Sequence, residues 1–137
     1  MHNILIVDDE RVIADTLGVI FRSHGFHTCV AYSAEQALAC ARDFSPDLLL
    51  CDISMPGRDG LDLMADFDRE LPHCKVLVLT GCYANLPRLQ SSRAVPQDTL
   101  VLTKPCHPAD LVRYAGELLA PPVLLPVPIA SAADTRI

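Results

Sequence analysis

Residues 48–52 read Leu-Leu-Leu-Cys-Asp, an uninterrupted apolar run that ends on an acid. An apolar run without polar alternation is typical of a parallel strand that is covered by helices on both faces. Similar runs occur elsewhere in the chain, at residues 4–7, 76–79, 100–102 and, more weakly, 27–31. The sequence therefore predicts five strands of a parallel sheet.

Amphipathic segments lie between these runs and have recognisable helix ends. Residues 10–24 carry apolar side chains at helical spacing, and Gly25 follows as a C-terminal stop. Ser33 with Gln36 forms a capping-box pattern, and Pro108 suits the first turn of the last helix. This alternation predicts an α/β fold, a (βα)5 doubly wound parallel five-stranded sheet with right-handed crossovers.

Prolines interrupt the pattern in two places. Pro87 and Pro96 limit the fourth helix, between the fourth and fifth strands, which we expect to be shortened or irregular. Residues 121–137 are rich in proline and are expected to form an extended or disordered tail after a domain of residues 1–120. The alternative for the tail is that it docks on the domain or on a partner.

The composition excludes several classes of function. Eleven basic residues against seventeen acidic ones give a formal charge of −6 over 137 residues. This balance argues against direct binding to nucleic acid, which needs clustered Lys and Arg. No apolar stretch approaches the roughly 18 residues of a membrane span, and no basic segment precedes an apolar N-terminal run. We therefore expect a cytoplasmic protein that binds neither nucleic acid nor a membrane.

The six cysteines do not follow a metal-binding or Cys-x-x-Cys pattern. Several of them lie in or beside strand-like apolar runs, where a free cysteine behaves as a small hydrophobic residue. We interpret them as free thiols in a reducing compartment. A redox role is the alternative.

Polar side chains lie at or just after the ends of four of the predicted strands. Asp8 and Asp9 follow the first strand, Asp52 the third, Thr80 the fourth and Lys104 the fifth. Each residue alone has an ordinary explanation as a helix cap, a loop acid or a surface charge. However, the carboxyl ends of parallel strands meet at one edge of the sheet, so these side chains are expected to converge.

Three carboxylates in one small pocket repel one another unless a cation lies between them. A divalent ion that prefers oxygen ligands, most plausibly Mg²⁺, satisfies this requirement. Such an ion beside a lysine and a hydroxyl suits a dianionic phosphoryl group. The chain has no Gly-rich phosphate loop, so a bound nucleotide is not indicated.

Taken together, these residues resemble the receiver domain of two-component response regulators. The similar strings are Asp8-Asp9, Asp52-Ile-Ser-Met-Pro-Gly-Arg-Asp-Gly60, Thr80-Gly81 and Lys104-Pro105. The resemblance runs from about residue 2 to residue 120 and implies a flavodoxin-like fold of strand order 2-1-3-4-5. It also implies a conformational switch that signals to an unidentified downstream protein, without turnover of an independent substrate. Because the residues after 120 are too few for an output domain, we expect a stand-alone receiver; the alternative is that the chain is a piece of a larger protein.

The resemblance implies a role for each site residue. Asp52 would be the phosphoacceptor, taking a phosphoryl group from the phosphohistidine of a sensor histidine kinase or a histidine phosphotransfer protein. Lys104 would pair with the phosphoryl oxygens, and Thr80 would hydrogen-bond to the phosphorylated acid. The ligands of Mg²⁺ would be Asp8, Asp9, Asp52 and the backbone carbonyl of Ser54.

The chain departs from the family pattern at Val101, where most receivers have an aromatic residue that turns inward as the Thr moves. A pseudo-receiver, which uses the same fold as a phosphorylation-independent interaction module, is therefore the alternative function. A metal-dependent phosphohydrolase needs a second acid two residues after the nucleophile, and Ser54 cannot serve as one. The family also leads us to expect a cis Lys104–Pro105 bond.

Overall fold

The apolar runs of the sequence form the strands of one sheet, with helices on both faces. The computed structural model describes residues 2–53, 60–81, 99–104 and 106–120. Its strands are β1 (Asn3–Val7), β2 (His27–Ala31), β3 (Leu48–Asp52), β4 (Lys75–Thr80) and β5 (Leu100–Thr103). Its helices in the described ranges are α1 (Arg11–Ser23), α2 (Ala34–Phe44), α3 (Gly60–Glu70) and α4 (Pro108–Leu119).

The five strands are all parallel and lie in the order β2-β1-β3-β4-β5. The prediction of a parallel five-stranded α/β sheet of order 2-1-3-4-5 is therefore confirmed. In the register of the inner strands, Val7 pairs with Cys51 and Asp52 pairs with Leu79. This register aligns the carboxyl ends of β1, β3 and β4 at one edge of the sheet.

The two faces of the sheet pack into separate apolar clusters. Alternate residues of each strand face opposite helices, because successive side chains of a strand point to opposite sides. Leu5 belongs to the cluster with Phe67, on the side of α2 and α3. Ile6 belongs to the cluster with Phe21, on the side of α1 and α4. Burial on both faces explains why the strand sequences are continuously apolar.

Helix ends follow the local signals of the sequence. Gly25, after α1, has a φ of +91°, which is a conformation that favours glycine. The Ser33 hydroxyl accepts a hydrogen bond from the Gln36 N–H at 3.1 Å. The Gln36 side chain accepts one from the Tyr32 N–H at 2.8 Å, so the reciprocal bond of the capping box forms one residue earlier than expected. The His107 side chain caps α4.

Several predictions concern residues outside the described ranges. These predictions are the shortened fourth helix, the cis Lys104–Pro105 bond and the extended tail. The domain boundary at residue 120 also stays a prediction. Among the described helices, none combines the length and the apolar character that crossing a membrane requires.

Candidate functional site

The carboxyl edge of the sheet brings together five of the residues singled out from the sequence. Asp8 and Asp9 follow β1, Asp52 and Thr80 are the last residues of β3 and β4, and Lys104 follows β5. Ser54, the sixth predicted site residue, lies outside the described ranges. The five described side chains offer carboxylates, one hydroxyl and one ammonium group at the same end of the sheet.

Asp8 is fixed by hydrogen bonds on both its backbone and its side chain. Its backbone N–H donates to the carbonyl of Ala31 at 3.2 Å, which ties it to the end of β2. Its Oδ1 accepts from the N–H of Glu10 at 2.9 Å, a turn that aspartate commonly forms with the residue two positions on. The side chain therefore points back from the start of α1 toward the sheet edge, and it is only 2% exposed.

Asp8, Asp9 and Asp52 form a compact acidic cluster. Each offers a carboxylate oxygen, and these three oxygens all lie within 4.8 Å of one another. Asp8 and Asp52 are buried, whereas Asp9 is exposed. Burial raises the pKa of Asp8, and the charge of Asp52 adds to this effect, although the hydrogen bond from Glu10 and the charge of Lys104 oppose it. Among the described residues, three carboxylates therefore face one ammonium group in this pocket.

In the part of the chain that the structure describes, Lys104 supplies the positive charge that faces these carboxylates. Its Nζ lies 3.0 Å from Oδ2 of Asp52 and 3.4 Å from Oδ2 of Asp8. Burial by itself lowers the pKa of Lys104, but the hydrogen bond and charge of Asp52, together with those of Asp8, outweigh it. The net effect raises the pKa, so the ammonium form is favoured.

Thr80 connects the site to β5, the outer strand beside β4. The residue is fully buried, and its backbone carbonyl accepts a hydrogen bond from the N–H of Lys104 at 2.8 Å. Thr80 also pairs with Thr103, the last residue of β5. A displacement of the backbone at Thr80 would therefore be transmitted to Lys104.

A feature that the sequence interpretation missed is an apolar cavity of about 510 Å³ beside Lys104. The cavity lies between α1 and α4, and its lining includes Val12, Leu17, Ile20, Lys104, Pro108 and Leu111. Val12 is 79% exposed, which is unusual for a large aliphatic side chain. The sequence indicates this cavity only through the apolar face of residues 10–24, which is wider than the part that the sheet covers.

Comparison with known proteins agrees with this architecture. The sequence model of the response regulator receiver domain matches residues 4–115. The chain belongs to this family. The transcriptional regulatory protein CpxR of Klebsiella pneumoniae is 36% identical over 119 residues, which are 87% of this chain and 50% of CpxR. The chain thus spans about half the length of that relative.

Solved receiver structures share the fold. A CheY-like response regulator receiver domain protein from Methanospirillum hungatei superimposes with a TM-score of 0.79 at 28% identity, covering 87% of this chain and 94% of the other. The receiver domain of NtrX from Brucella abortus gives a TM-score of 0.74 at 32% identity, with coverages of 85% and 97%. The predicted resemblance to receiver domains is therefore confirmed.

The prediction that the protein does not bind nucleic acid is wrong. The relative MtrA of Mycobacterium tuberculosis is named a DNA-binding response regulator and is 40% identical over 62 residues, which are 45% of this chain and 27% of MtrA. The inference failed because a net charge of −6 describes only the residues that are summed. The charge of this chain, of which 62 residues match 27% of MtrA, carries no information about DNA binding by the rest of that relative.

Proposed function

We propose that this chain is a phosphoacceptor receiver that is phosphorylated on Asp52. The observation that carries the proposal is the pairing of the acidic cluster with Lys104, whose Nζ lies 3.0 Å from the Asp52 carboxylate. A carboxylate at the end of a buried strand, held beside a cation, is positioned to attack a phosphoryl group. Membership of the receiver family supports the same assignment.

The acidic cluster suits a divalent cation. Three carboxylate oxygens within 4.8 Å of one another are hard oxygen ligands, and Lys104 alone does not balance their charge. We propose that Asp8, Asp9, Asp52 and the backbone carbonyl of Ser54 hold Mg²⁺. When bound, Mg²⁺ neutralises charge on the phosphoryl oxygens.

The chain's own residues then perform distinct tasks during transfer from a phosphohistidine. One Asp52 oxygen attacks phosphorus in line with the leaving imidazole nitrogen, so a P–O bond forms as the P–N bond breaks. Lys104 stabilises negative charge on the transferred group. Asp8 keeps its orientation through the hydrogen bond from Glu10 at 2.9 Å. Charge stabilisation and positioning are the whole of the catalysis, and no independent substrate is turned over.

The proposed output is a conformational switch that starts at Thr80. Its hydroxyl would hydrogen-bond to the phosphorylated Asp52, and the movement would shift an existing equilibrium between two states. The backbone bond from Lys104 to Thr80 and the pairing of Thr80 with Thr103 provide the connection to β5. A sensor histidine kinase or a histidine phosphotransfer protein is the proposed donor, and a downstream protein reads the result.

Acetyl phosphate tests the proposal without requiring the kinase. We expect incubation of the purified chain with acetyl phosphate and Mg²⁺ to produce a species heavier by about 80 Da, which is one added phosphoryl group. The species should be absent in Asp52→Asn and after chelation by EDTA. The matched control is Asp43→Asn, which alters an exposed acid of α2 and should leave the species unchanged.

A second candidate function is a phosphorylation-independent interaction module. The observation that favours it is Val101, a half-buried aliphatic residue that pairs with Val78 and packs against the cluster on the α2 and α3 side. Val101 has no ring to turn inward, so a coupled movement of Thr and aromatic residue does not operate here. A folded chain that gains no 80 Da under the conditions above would overturn phosphorylation and favour this function.

A further inference from the structure

Two half-buried thiols, those of Cys29 and Cys40, lie beside β2, the outer strand at the other side of the sheet from β5. In β2, Val30 faces α1, where a Cβ added to Gly18 would approach its Cγ2 to 2.9 Å. Cys29 therefore points to the opposite side, and it packs with Ala31 in the cluster beneath α2. Because β2 is an edge strand that pairs with β1, Cys29 remains partly accessible.

Cys40 approaches Cys29 from the helix above it. It belongs to α2, which packs directly on β2, and it borders the same cluster. Both residues are half-buried free cysteines, and the Cys40 thiol is near enough to raise the pKa of Cys29. Strand, helix and side-chain packing thus bring together two thiols that are eleven positions apart in the sequence.

The other described cysteines have different surroundings. Cys51 and Cys74 are buried, and their thiols donate to the carbonyls of Asp52 and Lys75 at 3.2 Å and 3.5 Å. Cys106 lies on the opposite face of the sheet, against the cluster of α1 and α4. Within the described ranges, the Cys29–Cys40 pair therefore combines two neighbouring thiols with partial access to solvent.

We propose that Cys29 and Cys40 form a reversible disulfide that links β2 to α2, and that this pair is a redox modification site. A low-molecular-weight disulfide such as oxidised glutathione is the oxidant. This site is separate from the proposed phosphorylation of Asp52, so the failure of either proposal leaves the other standing.

The reaction balances as two successive thiol–disulfide exchanges. One protein thiol, as its thiolate, attacks glutathione disulfide; a mixed disulfide forms and one glutathione thiolate leaves. The second protein thiol loses its proton and attacks the protein sulfur of the mixed disulfide, which releases the second glutathione. The two cysteines are oxidised by two electrons, and one glutathione disulfide is reduced to two glutathione thiols.

Proximity favours the second exchange over reaction with external reagents. Burial, and then the neighbouring Cys40 thiol, raise the pKa of Cys29 to about 11. A thiol with this pKa is almost entirely protonated at neutral pH and reacts slowly with a dilute external reagent. Attack within the mixed disulfide does not depend on a bimolecular encounter, so its effective concentration is far higher.

The test is oxidation of the folded full chain by glutathione disulfide, followed by intact mass and non-reducing peptide mapping. We expect a product lighter by about 2 Da, which is one hydrogen lost from each of two thiols. Its peptide map should contain a linked pair holding Cys29 and Cys40, and dithiothreitol should restore the original mass. Cys29→Ser and Cys40→Ser should each abolish this product, whereas the matched control Cys106→Ser should retain it.

Three results would overturn the proposal. One is an unchanged mass, another is a linked pair that involves any other cysteine, and the third is a stable glutathione adduct, heavier by about 305 Da, at either position without closure. The peptide map of the unsubstituted chain decides between them even if a serine variant fails to fold. Circular dichroism of each variant checks that the comparison is made between folded proteins.

Discussion

Strands β3 and β5 each contribute a charged residue to the site, but they are buried very differently. All five residues of β3 are buried, with β1 and β4 on its two sides. All four residues of β5 are half-buried, and β5 lies at the edge of the sheet beside β4. The acid at the end of β3 is therefore held by a tightly packed strand, while Lys104 follows a strand with fewer constraints.

This difference suggests a division of work within the site. Asp8 and Asp52 extend from β1 and β3, in the middle of the sheet, where packing keeps the acidic cluster in place. Lys104 and Thr103 lie on the side where local displacement costs less free energy, because fewer apolar contacts are broken. A receiver needs both properties, since the phosphoacceptor must stay positioned while the responding elements move.

The largest expected effect is the loss of stability when the same Leu→Ala substitution is made in β3 and in β5. Leu50 of β3 and Leu102 of β5 contact the same cluster on the α1 and α4 side, but Leu50 is 1% exposed and Leu102 is half-buried. We expect Leu50→Ala to lower the free energy of unfolding by about 4 kcal/mol and Leu102→Ala by about 2 kcal/mol. Urea denaturation followed by circular dichroism measures both. Equal losses would show that the two strands are equally constrained.

Magnesium should stabilise the tightly packed side of the site. A cation that binds the folded acidic cluster raises the free energy of unfolding by about 1.4 kcal/mol at a concentration ten times its Kd. We expect thermal unfolding to shift upward with Mg²⁺ and to return with EDTA. Asp9→Asn, which removes the exposed carboxylate of the cluster, should weaken this shift. The control Asp43→Asn, on exposed α2 surface, should preserve it, and a Mg²⁺ response equal in both variants would contradict binding at the cluster.

The sequence predicted the arrangement of the sheet and the convergence of the site residues because both depend on local patterns. The third and fourth apolar runs end on, or directly before, Asp52 and Thr80, so a parallel sheet must bring these two residues to one edge. The unequal burial of β3 and β5 was not predictable in this way. Leu-Leu-Leu-Cys and Leu-Val-Leu are similarly apolar, and their burial depends on which neighbours the topology places beside them.

Contacts that depend on how helices pack on the sheet also could not be predicted from the sequence. The meeting of Cys29 with Cys40 depends on how α2 packs across β2, and no spacing rule encodes it. The hydrogen bond from Glu10 to Asp8 was visible only as a general capping preference, whereas its actual role is to orient a carboxylate of the cluster. The error about nucleic acid had a different origin, because it extended a charge sum beyond the residues it described.

The smallest expected effect concerns Gly81, directly after β4 on the less constrained side. A Cβ added to Gly81 would lie 3.8 Å from Cδ of Lys104, which is an ordinary van der Waals distance. We therefore expect Gly81→Ala to change the free energy of unfolding by less than about 0.5 kcal/mol. The added methyl group lies against the stem of Lys104, so it should slow phosphorylation by acetyl phosphate less than twofold, as measured by intact mass over time. A loss of stability as large as that of Leu102→Ala, or a loss of phosphorylation as large as that of Asp52→Asn, would contradict this expectation. Either result would mean that the chain beside Lys104 is constrained as tightly as β3.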